Sequence, residues 1–71
     1  MTIYERIRNL REELDPPMSQ TELGKKLNKT QRAISRLETG DAHLQDNEII
    51  AYCKLFRVSA DYILGLTDKK K

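Results

Sequence analysis

Residues 19–40 read SQTELGKKLNKTQRAISRLETG, and the spacing within them decides the fold. Ser19 followed three residues later by Glu22 is a capping-box pattern, which opens a short helix running through Leu27. Leu23 and Leu27, four apart, supply its inward face. Asn28 stands where a helix commonly closes on a left-handed residue, and Asn is tolerated there next after Gly. Thr30 caps the following helix, whose apolar positions Ile34 and Leu37 are three apart and which Gly40 ends. Only Asn28 and Lys29 join the two helices, so the chain turns sharply instead of forming an antiparallel hairpin. Gly24 falls inside the first helix at a cost of about 1 kcal/mol relative to Ala, which predicts that another helix crosses closely at that point.

Outward from this stretch the same logic finds three more helices. Thr2 and Glu5 make another capping box, and Ile3, Ile7, Leu10 and Leu14 form one helical stripe. That helix is expected to stop near Leu14, because Asp15-Pro16-Pro17 cannot continue it. A fourth helix is expected from about Asp46 to Phe56 with Ile49, Ile50, Cys53 and Phe56 inward, and Tyr4, Tyr52 and Tyr62 at the edge of the core. Ser59 caps a short fifth helix holding Tyr62, Ile63 and Leu64, closed by Gly65. No segment alternates as a strand does, and nothing repeats. The expectation is an all-α, compact five-helix bundle over residues 1–68, with a disordered basic tail at 69–71.

Composition narrows the function. At 71 residues the core is thin, with no room for a large catalytic cleft. The chain holds one Cys, Cys53, and one His, His43, so neither a disulfide framework nor a zinc site is expected within it. No cofactor and no catalytic residue is expected, since no nucleophile with a base and no Gly-rich phosphate loop is present. No apolar run approaches the length of a membrane span, and the charged start MTIYERIRNL is not a signal peptide; a cytoplasmic protein of bacterial or phage origin is expected. The net charge is +2, unevenly spread: Lys25, Lys26, Lys29, Arg32 and Arg36 face only Glu22 and Glu38, so residues 19–38 carry +3 between mildly acidic flanks. Such a basic middle suits a polyanion, although a solvated charged face would look the same.

Spacing separates the two. A sharp two-residue turn between capped helices is the construction of a helix-turn-helix, whose second helix is presented outward to the major groove of double-stranded DNA. Gln31 and Arg32 occupy the first turn of that helix, with Ser35 and Arg36 one turn later on the same side. Gln can bond adenine bidentately and Arg can bond guanine, each worth about 1–3 kcal/mol of discrimination. These four are the expected base contacts. Gln20, at the N-terminus of the first motif helix, is placed where free amides and the dipole attract phosphate.

The stretch quoted above resembles the helix-turn-helix of the Cro and lambda-type phage repressors, a family that includes many bacterial regulators. LFRVSADYILGLTD, residues 55–68, resembles that family's fifth-helix region, so the similarity spans residues 2–68. The resemblance implies a lambda repressor-like bundle that binds operator DNA as a dimer. Carried over by position, it implies phosphate contacts at Gln20 and Thr30, base readers at Gln31, Arg32 and Arg36, and a buried pair between Arg11 and Glu38. The chain departs from the family at Lys29, usually a small apolar residue, which is expected to swing out toward a phosphate. The turn Asp15-Pro16-Pro17-Met18 is about two residues longer than usual, with Met18 re-entering the core, and Asp41 is acidic where the loop is often basic.

The function these readings imply is a sequence-specific transcriptional regulator, a repressor, acting as a homodimer. Pairing is expected through the C-terminal region, with Phe56, Val58, Tyr62 and Leu66 as candidates, because that end has more apolar residues than a thin bundle covers. The alternative is an antitoxin or adaptor that uses the same fold to bind a protein partner. Such a module would need an exposed apolar patch or an added tail, whereas only three lysines follow Asp68.

Overall fold

Local capping sets nearly every helix boundary. The computed structural model describes residues 1–71 as five helices: α1 Ile3–Glu12, α2 Gln20–Leu27, α3 Gln31–Thr39, α4 Asp46–Phe56 and α5 Ala60–Leu64. The Thr2 hydroxyl accepts from the Glu5 amide at 3.1 Å while the Glu5 carboxylate accepts from the Thr2 amide at 3.0 Å. Ser19, Thr30 and Ser59 each accept from the amide three residues on, all at 3.1 Å. These bonds satisfy donors that a helix start otherwise leaves unpaired. At the other ends Asn28, Gly40 and Gly65 adopt left-handed conformations, as the sequence indicates. Arg57 does so too, with φ 55°, a stop that its side chain does not announce.

The core is built from Ile7 and Leu10 of α1, Leu23 of α2, Ile34 and Leu37 of α3, Tyr52 of α4, and Val58, Tyr62 and Ile63 at the C-terminal end. Two expectations need correction. Helix α1 stops at Glu12, and Leu14 lies exposed in the following turn; Met18, whose amide bonds the Arg11 carbonyl at 3.2 Å, re-enters to pack on the core in its stead. In α4 the inward residue is Tyr52, fully buried, whereas Ile50 is 54% exposed. Ile50 sits two positions from Tyr52, about 200° around the helix, so both cannot face inward. Once Glu48 and Tyr52 point in, Ile49, Cys53 and Phe56 follow at the flanks and Ile50 is excluded. The Tyr52 ring stacks on Phe56 with centroids 5.9 Å apart. Burial first, then the nearby Glu38 and Glu48, pushes the Tyr52 hydroxyl far above its ordinary pKa, so it stays protonated.

The C-terminal end is tied to α1 by Arg6, which sequence reasoning missed. Its guanidinium donates to the Tyr62 carbonyl at 3.0 Å, the Thr67 carbonyl at 3.1 Å and the Asp68 carboxylate at 2.8 Å, and lies 4.7 Å from the Tyr62 ring centroid. The basic tail returns toward the bundle: the Ser59 amide donates to the Lys70 carbonyl at 2.7 Å, and Lys70 Nζ pairs with Glu13. No helix is long and apolar enough to cross a membrane.

Gly24 is required for a different reason from the one expected. A Cβ there would lie 2.5 Å from the Lys29 carbonyl oxygen, so the close neighbour is the backbone of the turn itself, not a side chain of a crossing helix. The Gly24 carbonyl also accepts from the Lys29 amide at 2.7 Å, which folds the turn back onto α2. Gly24→Ala is expected to lose about 1–3 kcal/mol of stability through this clash, outweighing the gain of about 1 kcal/mol in helix propensity. Thermal melting of the variant checks this; an unchanged or raised midpoint would contradict it.

Candidate nucleic-acid interface

Helix α3 divides cleanly between an inner and an outer face. Ile34, Leu37 and Glu38 are buried, whereas Gln31, Arg32 and Arg36 are exposed and Ser35 is half-buried. Because 3.6 residues make a turn, Arg32 and Arg36 lie opposite the core, about 40° apart, while Gln31 borders it on the Glu38 side. All four expected base readers therefore belong to one element, and Thr30 and Gln20 flank it at two helix starts. Lys25 and Lys26, in the last turn of α2, are exposed and add to the positive charge.

Beneath this face lies the Arg11–Glu38 pair. Arg11 Nε donates to Glu38 Oε2 and Arg11 Nη2 to Glu38 Oε1, each at 2.9 Å, a two-pronged arrangement suited to the flat guanidinium. A third donor, Nη1, reaches the Met18 carbonyl at 2.9 Å. The Glu38 side chain is 2% exposed and that of Arg11 12% exposed. Hydrogen bonding to Glu38 raises the Arg11 pKa above its already high ordinary value, against the opposing effect of burial.

The pair does not end at the core. Gln20 Nε2 donates to Glu38 Oε1 at 3.0 Å, and Gln31 Nε2 donates to Gln20 Oε1 at 2.6 Å. A chain of hydrogen bonds thus runs from Arg11 through Glu38 and Gln20 to Gln31, across three helices. The sequence reading placed Gln20 and Gln31 in separate roles; the fold joins them.

Lys29 is not directed outward as expected. Its ammonium pairs with the Glu48 carboxylate at the start of α4, which also accepts from the Gln45 amide at 2.8 Å. Burial raises the Glu48 pKa, but the bonds from Lys29 and the Gln45 amide prevail and hold it below the usual carboxylate value. The lysine thereby ties the motif's turn to α4. The long-range partners of Lys29, Gln20 and Arg6 were invisible in the sequence. Arg6 and Arg11 do stand directly beside the stripe positions Ile7 and Leu10, a border placement that suits a long side chain with a buried stem.

Of the four residues expected at a pairing surface, Val58 and Tyr62 are taken up by the monomer's own core, Tyr62 under the Arg6 guanidinium. Phe56 is half-buried against Tyr52. Leu66 remains 74% exposed, and Leu64 is exposed beside it.

Comparison with known proteins agrees with this geometry. The helix-turn-helix family pattern matches residues 7–63. A search of curated proteins finds no match. Among solved structures the chain is similar to the P22 c2 repressor protein, crystallised with a synthetic operator in the presence of thallium ion, at 31% identity and a TM-score of 0.79, over 90% of this chain and 94% of that one. With a matching pattern over most of its length and a repressor of similar fold as its structural relative, the chain belongs to the helix-turn-helix family of Cro and lambda-type repressors.

Proposed function

We propose that the protein is a sequence-specific DNA-binding transcriptional repressor that inserts α3 into the major groove. The observation that carries this reading is the outer face of α3. Gln31, Arg32 and Arg36 stand exposed on a helix that Ile34 and Leu37 anchor in the core. Ser35 completes the base-reading group, while Gln20 and Thr30 hold phosphates at the starts of α2 and α3. Lys29, engaged by Glu48, supports the turn in place of a phosphate contact. The operator in the structure of the P22 c2 repressor supports duplex DNA as the partner here as well, with the bacterial cytoplasm as the place of action.

Mutation separates base readers from the rest. Arg32→Ala and Arg36→Ala are each expected to cost roughly 1–3 kcal/mol on the preferred site and to relax choice at particular base pairs. Competition binding against single-substituted and random duplexes measures this. Equal loss on every duplex, for both variants, would show that neither arginine reads a base.

The protein acts as a homodimer, since one recognition helix reads too few base pairs to stand out among genomic sites. Leu64 and Leu66, with the edge of Phe56, offer the exposed apolar surface for pairing at the C-terminal end. Two protomers on half-sites about 34 Å apart is the expected complex. Native mass measurement at saturating protein decides the point, and a one-to-one complex on a palindromic site would overturn it.

A further inference from the structure

We infer that Glu38, which is buried and faces no DNA, determines which hydrogen-bonding edge Gln31 presents to a base, making it a specificity-determining positioning residue. The inference rests on the reading of α3 as the base-reading helix. Both Glu38 oxygens already receive bonds from Arg11, and a carboxylate so paired can only accept. Gln20 must therefore turn its amide nitrogen toward Glu38, at 3.0 Å, and its carbonyl oxygen away. That oxygen in turn can only accept, and it takes one hydrogen from Gln31 Nε2 at 2.6 Å. The polarity of the buried pair is thus passed outward without a choice at any step.

What remains free is decided by counting donors. Gln31 keeps one N–H and its whole carbonyl oxygen for the groove. A donor beside an acceptor complements the N7 and the N6 amino group of adenine, whereas guanine presents two acceptors there. Gln20 keeps its second N–H for a phosphate. With a neutral amide at position 38 the relay loses its direction, because an amide either accepts or donates. In the reversed state the Gln31 oxygen is engaged by Gln20 and both N–H groups face the groove, which favours the guanine edge. The charge at 38 consequently separates adenine from guanine at a distance, through two glutamines.

The test measures base preference at each position of selected duplexes, with folding followed by circular dichroism. Gln31→Ala identifies the base pair that Gln31 reads, as the position where preference disappears. Gln20→Met interrupts the relay outside the core, and Arg11→Met combined with Glu38→Gln removes the buried charge without leaving an unpaired ion. In both variants the preference for adenine at that one pair is expected to fall from about tenfold to within about threefold. Preferences at the pairs governed by Arg32 and Arg36 should stay as they are. Retention of the full adenine preference in Gln20→Met overturns the inference, and so does uniform weakening on all sequences, which a phosphate contact alone would produce. If the double variant does not fold, Gln20→Met decides by itself. If Gln31→Ala, Arg32→Ala and Arg36→Ala change no base preference at all, the base-reading assignment fails first, a result distinct from failure of the relay.

Discussion

Glu38→Ala is expected to cost about 3–5 kcal/mol of folding stability, because it removes the close, two-pronged partner of the largely buried Arg11 guanidinium. Arg11 would keep its bond to the Met18 carbonyl and a looser ion pair at 3.9 Å with the more exposed Glu12, and Gln20 would lose its inner partner as well. At roughly 0.05–0.15 kcal/mol per residue, a domain of this size has about 4–10 kcal/mol in total, so the loss approaches complete unfolding. Replacing both partners by apolar residues, Arg11→Met with Glu38→Leu, should recover much of it, since no unpaired charge stays behind. Urea denaturation of the two variants checks the argument. A cost below about 1 kcal/mol for Glu38→Ala would mean that solvent reaches the pair far more freely than its burial indicates.

Binding to duplex DNA is expected to weaken steeply with salt, the second large effect. Each phosphate neutralised contributes a slope of about −0.9 in the logarithm of affinity against that of salt concentration. Lys25, Lys26, Arg32 and Arg36 are exposed and paired with no acid, whereas Lys29 is engaged by Glu48. A dimer making six or more phosphate contacts would lose roughly a thousandfold in affinity between about 50 and 200 mM salt. Titrations of one duplex across that range measure the slope, and an affinity flat with salt would remove the basis for the DNA-binding proposal. Lys25→Ala and Lys26→Ala should flatten the slope without changing base preference, in contrast to substitutions on α3.

What could be read from the sequence was what local chemistry controls. Thr2, Ser19, Thr30 and Ser59 cap through bonds to amides three residues away, and Asn28, Gly40 and Gly65 end helices by their own backbone preferences. Those contacts need no knowledge of the rest of the chain, so the five helices, the tight turn at 28–29 and the outward side of α3 were all legible. Tertiary structure alone decided the rest. Whether Ile50 or Tyr52 enters the core depends on the shape of the space left by α1 and α3, which hydrophobicity does not encode. The partners of Arg6 lie 56–62 positions away, those of Gln20 11 and 18, and that of Lys29 19, and side chains so far apart along the chain meet only when the helices have packed. Long polar side chains reach several candidate partners from any one backbone position; the fold selects one by excluding water from the others.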